Sequence, residues 1–157
     1  MMANKMKKVL AVMVVAATMA TGMCSITASA GNTTDTEFKF EWSNRGGRFD
    51  YTPYRYKEDN TYVYIKTVAN TLPYNGYYAK TLYRNSGSNI SYSASASEYR
   101  INNYTAYTIR SDAVLGSMTG KYVRIRGHYK DTTYSWGDVT ILWSPDTANQ
   151  SNYPTLN

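Results

Sequence analysis

Residues 54–68 read YRYKEDNTYVYIKTV, and this stretch decides the fold. Two alternating runs flank the polar triplet EDN. This pattern predicts a hairpin, in which a turn joins two strands. Successive side chains on a strand point to opposite faces. In the second run, Val63 and Ile65 therefore form an aliphatic face suited to a core. Tyr62 and Tyr64 lie on the other face, toward solvent or a partner.

The segment 121–130, KYVRIRGHYK, repeats this contrast and is the expected companion of 54–68. Val123 and Ile125 would share the buried face of a strand. The opposite face would carry aromatic and basic side chains: Tyr122, Arg124, Arg126 and His128.

Further alternating runs occur along the chain, the clearest being 37–42, EFKFEW. Turn signals recur roughly every 8–12 residues, and no amphipathic helix is evident, which favours an all-β fold. We expect an antiparallel β-sandwich or small barrel of about seven to nine short strands, forming a single β-domain over residues 37–146. A flexible lead-in at 31–36 and a loose polar tail at 147–157 would flank it. The least regular segment, 111–119, would be a loop that buries Val114, Leu115 and Met118.

The first thirty residues have the form of a secretory signal peptide, with early lysines, an apolar run at 9–17 and the small-residue triplet ASA at 28–30. We expect cleavage before Gly31 and a secreted, extracellular protein, loosely associated with the cell surface. The apolar run is too short for a membrane span, so the mature form would have none. Lipidation at Cys24 is disfavoured because Met23 precedes it, where a small residue is required.

Cleavage would change the composition of the chain. The leader contains three of the 17 basic residues and none of the 11 acidic ones, so the mature net charge would be +3 rather than +6. The leader also contains the only cysteine, so the exported domain would be disulfide-free. Such weak basicity does not indicate nucleic-acid binding. All 17 tyrosines would remain.

The sequence lacks the residue patterns of the common catalytic sites. Without a mature cysteine, a nucleophilic site would need the single histidine, His128, and no G-x-S-x-G motif is present. The acids are scattered rather than paired as in glycosidases. One histidine and no thiol also make a transition-metal site unexpected. We expect no enzyme activity, no metal and no cofactor.

The remaining hypothesis is binding through tyrosine- and arginine-rich strand faces, with cell-wall glycan or a surface protein as partner. The candidate residues are Tyr62, Tyr64, Tyr122, Arg124, Arg126 and His128. The main alternative is structural, because tyrosines pair well across strands and arginines stack on them within a sheet. A bacteriocin-like or toxin-like effector is a further functional alternative.

Two segments resemble a group of small secreted β-rich proteins of Gram-positive, often gut-dwelling, bacteria. These are residues 54–64, YRYKEDNTYVY, and the sequence LWSPD at 142–146. The resemblance implies export and a β-fold. The group has no assigned activity, so it assigns no functional residue.

Overall fold

In a computed structural model of the chain, the described residues, 32–42, 48–73, 76–111, 117–130 and 137–157, are built almost entirely from short strands. The strands are β1 Thr36–Trp42, β2 Phe49–Tyr51, β3 Arg55–Tyr56, β4 Val63–Asn70, β5 Tyr77–Arg84, β6 Tyr92–Ser93, β7 Tyr99–Ile101, β8 Ala106–Ile109, β9 Tyr122–His128, β10 Gly137–Ser144 and β11 Thr155–Leu156. A single 3-10 turn, Gln150–Asn152, precedes β11.

The strands form two sheets. The first sheet has the order β1-β10-β4-β8-β11. The second sheet has the order β2-β9-β5-β6, with β3 also pairing with β9, and β7 with β5. Every described pair is antiparallel except β8 with β11. The predicted all-β antiparallel fold is confirmed; of its two forms, a sandwich or a small barrel, the structure shows the sandwich, since the described strands form no closed barrel. The described strands number eleven, where about seven to nine were predicted.

Aromatic side chains of β1 fill the space between the sheets. Phe40 and Trp42 are buried and stacked, with ring centroids 5.4 Å apart. Both contact Tyr77 of the second sheet, at 5.9 and 5.8 Å. They fit because Gly127 lies opposite: a Cβ atom there would be 2.9 Å from the Trp42 ring. The large side chains of β1 therefore occupy the space that a side chain at Gly127 of β9 would need.

The two arms of 54–68 do not form the predicted hairpin. The first arm is β3, which pairs with β9 in the second sheet, Tyr56 opposite Tyr122. The second arm is β4, which lies in the first sheet between β8 and β10. The predicted aliphatic face is nevertheless correct, since Val63 and Ile65 are fully buried. The polar residues between the arms carry the chain from one sheet to the other.

The two ends of the domain are also more ordered than expected. The Asn32 backbone N–H donates to Asp146 Oδ2 at 2.8 Å, and its side-chain amide donates to the Tyr56 carbonyl. Residues 147–157 are not a loose tail, because β11 adds to the edge of β8 in parallel. The Tyr153 ring packs edge-on against Tyr64, with centroids 5.1 Å apart. Tertiary contacts thus hold segments whose local sequence is polar.

Some predictions concern residues outside the described ranges, including the signal peptide and the burial of Val114 and Leu115. Met118 is described and is fully buried, as predicted. Within the described segments, no helix is long and apolar enough to cross a membrane.

Candidate binding face

The outer face of the second sheet collects most of the aromatic and basic side chains of β9. Along this strand Val123 and Ile125 point into the core, and the alternate residues point outward. The neighbouring strand β5 adds Lys80 opposite Arg126 and Arg84 opposite Tyr122. Like charges opposite each other destabilise a sheet, so the contacts that hold these cations in place are informative.

Five side chains, from β2, β5, β9 and the segment between β2 and β3, form a continuous stack in which tyrosines and arginines alternate. We call this stack the aromatic–arginine ladder. The Arg84 guanidinium carbon lies 5.5 Å from the Tyr122 ring centroid and 4.3 Å from that of Tyr54. The Arg124 guanidinium carbon lies 4.5 Å from the Tyr54 centroid and 4.3 Å from that of Tyr51. The order is therefore Tyr122, Arg84, Tyr54, Arg124, Tyr51. Each arginine contacts two rings, within the range of cation–π attraction.

Hydrogen bonds fix the middle of the ladder. Ser91 Oγ is hydrogen-bonded to the Tyr54 hydroxyl and accepts a bond from Arg124 Nη2 at 3.1 Å. Arg84 Nη1 donates to the Ser88 carbonyl at 3.4 Å. The loop between β5 and β6 therefore holds the ladder from one side.

The arginines of this face are incompletely satisfied. In the described part of the chain, the Nε–H groups of Arg84, Arg124 and Arg126 are shielded from solvent and have no hydrogen-bond partner. A buried donor without an acceptor costs folding free energy. These unpaired donors therefore offset part of the stabilisation that the arginines gain from their aromatic contacts.

One acid offsets part of the positive charge at the other end of the face. Glu98 pairs with Arg126, lies 2.9 Å from His128 Nδ1 and lies 3.4 Å from Lys130 Nζ. Burial would raise the pKa of the Glu98 carboxyl, but the hydrogen bonds and charges of His128 and Arg126 outweigh it and lower the pKa. Glu98 is therefore an anion that offsets this half of the face.

No such acid serves the ladder. Among the described residues, no carboxylate lies within 4 Å of Arg84, Arg124 or Lys80. Guanidinium groups are charged at every physiological pH. The ladder end of the face thus carries positive charge that nearby acids do not compensate.

The structure brings together four of the six predicted site residues. Tyr122, Arg124, Arg126 and His128 share the outer face of the second sheet. Tyr62 and Tyr64 do not join them, since Tyr64 is in β4 of the first sheet and Tyr62 directly precedes that strand.

Tyr64 is a poor candidate for ligand contact. It is buried, and burial, Asp35 and Tyr153 together raise the pKa of its hydroxyl to about 12. The Tyr62 N–H donates to Gln150 Oε1 at 2.8 Å, which ties its backbone to the C-terminal segment.

Sequence reasoning missed three ladder residues: Tyr51, Tyr54 and Arg84. Tyr51 and Arg84 stand at strand ends next to turn signals, and alternation within one strand does not reveal which side chains of other segments they contact. Tyr54 precedes β3 and lies outside any described strand. One usable signal was the spacing of Arg84 from the alternating residues Tyr78, Lys80 and Leu82, which places it on the same face of β5.

The polar crossover from β3 to β4 is anchored by a buried ion pair. Lys57 Nζ donates to Asp146 Oδ1 at 2.7 Å and to the Pro145 carbonyl at 2.6 Å. The second carboxylate oxygen, Asp146 Oδ2, accepts the N–H of Glu58 at 2.9 Å and that of Asn32. Burial would raise the pKa of Asp146, but Lys57 and these N–H groups lower it overall. The Lys57 and Asp146 side chains are both fully shielded from solvent.

The described residues show little catalytic geometry. His128 has a carboxylate partner in Glu98, but no described serine is hydrogen-bonded to its ring, which packs 4.2 Å from Phe49. In the same part of the chain, no three histidine, cysteine or acidic residues cluster as metal ligands.

The fold and the face together define an antiparallel β-sandwich with a cationic, aromatic outer surface on one sheet. A model of the family described as "Protein of unknown function (DUF2712)" matches residues 26–147, and the chain belongs to that family. The match includes both polypeptide segments that meet at Lys57 and Asp146. No curated protein and no solved structure matches the chain.

Proposed function

We propose that this protein is exported and acts, without catalysis, by binding a glycan of the bacterial cell surface on the outer face of its second sheet. The aromatic–arginine ladder carries the proposal. It places two rigidly held guanidinium groups and three tyrosine rings side by side on one face of one sheet.

The ladder is suited to a ligand with both hydroxyl and apolar surfaces. A stacked guanidinium donates hydrogen bonds in its own plane, so stacking leaves for an acceptor the Nη N–H groups that are not bonded to Ser88 or Ser91. Exposed aromatic rings at the margin of the ladder add flat apolar surface: Phe49, Tyr51 and Tyr56 are 43%, 37% and 44% exposed. Sugar units present ring hydroxyls and C–H faces that match these groups.

Preorganisation also supports binding. A free arginine side chain loses conformational entropy when it binds a ligand, a cost of about 0.5–1.5 kcal/mol for a flexible side chain. The contacts of Arg124 with two rings and Ser91 already restrict it before a ligand arrives. Binding would therefore require little further ordering.

Export is part of the proposal, and it has its own test. The Asn32 N–H is bonded to Asp146 within the folded domain, so a chain cut before Gly31 keeps every described contact. The intact mass of the protein recovered from culture medium should correspond to residues 31–157. Recovery of the full-length chain only from the cell would contradict export.

The binding claim is tested by cosedimentation of residues 31–157 with purified, protein-free cell walls. Wild type should sediment with the walls, and Tyr54→Leu and Arg124→Gln should each remain largely in the supernatant. Tyr104→Ala and Lys66→Gln are matched controls. Tyr104 is 68% exposed in the turn between β7 and β8, away from the ladder contacts, and Lys66 is in the first sheet, so both variants should bind like wild type. Wild type that stays in the supernatant would contradict the proposed function.

A further inference from the structure

We infer that the ligand of the ladder is an anionic glycan, a linear polymer of sugar or polyol units that carries phosphate or carboxylate groups. This inference rests on the proposed function and adds the charge of the ligand. The uncompensated cations at one end of the face carry it.

The first step is the charge of the face. Five basic side chains from β5, β9 and the residues just after β9 lie on the face or at its end: Lys80, Arg84, Arg124, Arg126 and Lys130. The described acid in contact with them is Glu98. The mature chain would have a net charge of only +3, so its positive charge is concentrated on this surface. Such a surface attracts polyanions and raises their rate of association.

The second step locates the anion. Glu98 occupies the end formed by Arg126, His128 and Lys130. A ligand oxyanion there would meet a carboxylate of like charge. At the ladder, the described part of the chain places no such acid, so Arg84 and Arg124 are the residues we assign to oxyanion binding.

The third step is the geometry of the two guanidinium groups. Their carbons lie 4.3 and 4.5 Å from the centroid of the same ring, Tyr54. One ring therefore spaces two cations, and the arrangement can hold neighbouring oxyanions of one chain. The Nη N–H groups that Ser88 and Ser91 do not use can donate to a phosphate or to a carboxylate oxygen. The geometry therefore does not favour phosphate over carboxylate, and the binding experiment below distinguishes them.

A second copy of the protein is the competing occupant. The first sheet presents Glu37, Glu41 and Asp138 on its side of the sandwich, although Lys39 pairs with the latter two. That pairing offsets part of the negative charge. An anionic glycan matches the ladder better, because it supplies oxyanions without a partner cation.

The test is titration calorimetry of residues 31–157 with four separate probes at low ionic strength. The probes are a deacylated poly(glycerol phosphate), polygalacturonate, neutral dextran and a single-stranded DNA homopolymer. At least one of the two anionic glycans should bind, and binding should weaken as salt is added. The double variant Arg84→Gln/Arg124→Gln should bind that glycan at least about tenfold more weakly, the scale of one lost charge-assisted hydrogen bond.

Two further variants sharpen the result. Glu98→Gln removes the neutralising carboxylate, so it should bind the anionic glycan more tightly than wild type. Lys39→Gln removes a cation from the first sheet and should change nothing. Circular dichroism and urea denaturation of every variant separate lost binding from lost folding.

Several outcomes would overturn the inference. One is that dextran binds as tightly as the anionic glycans. Another is that the Arg84/Arg124 double variant binds as well as wild type. Either result would contradict the anionic ligand without contradicting binding to cell walls. DNA binding as tight as glycan binding would show that the ladder recognises polyanions in general rather than anionic glycans. Salt-sensitive self-association without glycan binding would favour a second copy. Binding to neither anionic glycan also overturns the inference, and wall cosedimentation then decides whether the proposed function itself survives.

Discussion

Lys57 Nζ lies 2.7 Å from Asp146 Oδ1, and neither side chain is exposed to solvent. The pair joins two segments 89 residues apart, the crossover after β3 and the turn after β10. Neighbouring bonds extend the junction, since Thr147 N–H donates to Thr61 Oγ1 at 2.8 Å. The two segments that suggested a family from sequence are therefore one structural cluster. Their role in the fold is to fix the passage of the chain between sheets.

Breaking this pair should cost much of the stability of the domain. Lys57→Met leaves the Asp146 carboxylate buried without its cation, and we expect a loss of about 3–5 kcal/mol in the free energy of unfolding. Urea denaturation of residues 31–157 measures it. Lys39→Met is the matched control, because Lys39 pairs with Glu41 and Asp138 at the surface, where ion pairs contribute little, so its loss should be far smaller. Equal losses in the two variants would show that the buried pair has no special role.

The same pair predicts how stability depends on pH. The folded-state pKa of Asp146 is lowered by Lys57 and backbone N–H groups against the opposing effect of burial. Its stabilising contribution is thus complete above the unfolded value, about 3.9, and is lost as pH falls below that value. The lowered pKa of Glu98 acts in the same direction. In wild type, the urea concentration at the midpoint of unfolding should decrease as the pH is lowered below 4. In Asp146→Asn it should decrease less steeply. Parallel curves would contradict this assignment.

Gly127 should resist replacement by alanine. A Cβ atom would lie 2.9 Å from Trp42 and 3.0 Å from Phe40 in the space between the sheets. We expect Gly127→Ala to lower the free energy of unfolding by about 1–3 kcal/mol, the usual effect of overpacking a core. Phe40→Leu vacates part of that space, so the alanine should cost less in the Phe40→Leu background. Additive losses in the double variant would argue against a steric cause.

The C-terminal segment should contribute to stability although its sequence is polar. Tyr153→Ala removes the edge-on contact with the Tyr64 ring, and we expect a loss of about 1 kcal/mol. Tyr153 also helps raise the pKa of the Tyr64 hydroxyl to about 12. NMR titration of the Tyr64 ring should therefore give a lower pKa in Tyr153→Ala. Tyr104→Ala, at an exposed site, should change neither quantity.

The faces of the strands could be read from the sequence. Alternation in β4 and β9 correctly placed Val63, Ile65, Val123 and Ile125 in the core, because a period of two is set by the backbone alone. The same rule put Tyr122, Arg124, Arg126 and His128 together on one face. These are local properties of single strands.

The assignment of strands to sheets could not be read in this way. The triplet EDN looked like a hairpin turn, but Lys57 before it finds its partner in Asp146, which no local pattern reveals. Tyr64 was expected at the surface and is covered by Tyr153 from the C-terminal segment. The ladder likewise depends on Tyr54, Arg84 and Arg124, which come from three separate segments. Long-range pairing decides each of these features.

The most direct test of the central claim is a map of where an anionic glycan binds. Addition of the deacylated poly(glycerol phosphate) or of polygalacturonate to isotopically labelled residues 31–157 should shift NMR signals of Arg84, Arg124 and Tyr54. The signals of Lys39 and Lys66 in the first sheet should stay in place. Shifts confined to the first sheet, or none with either polymer at saturating concentration, would contradict the account.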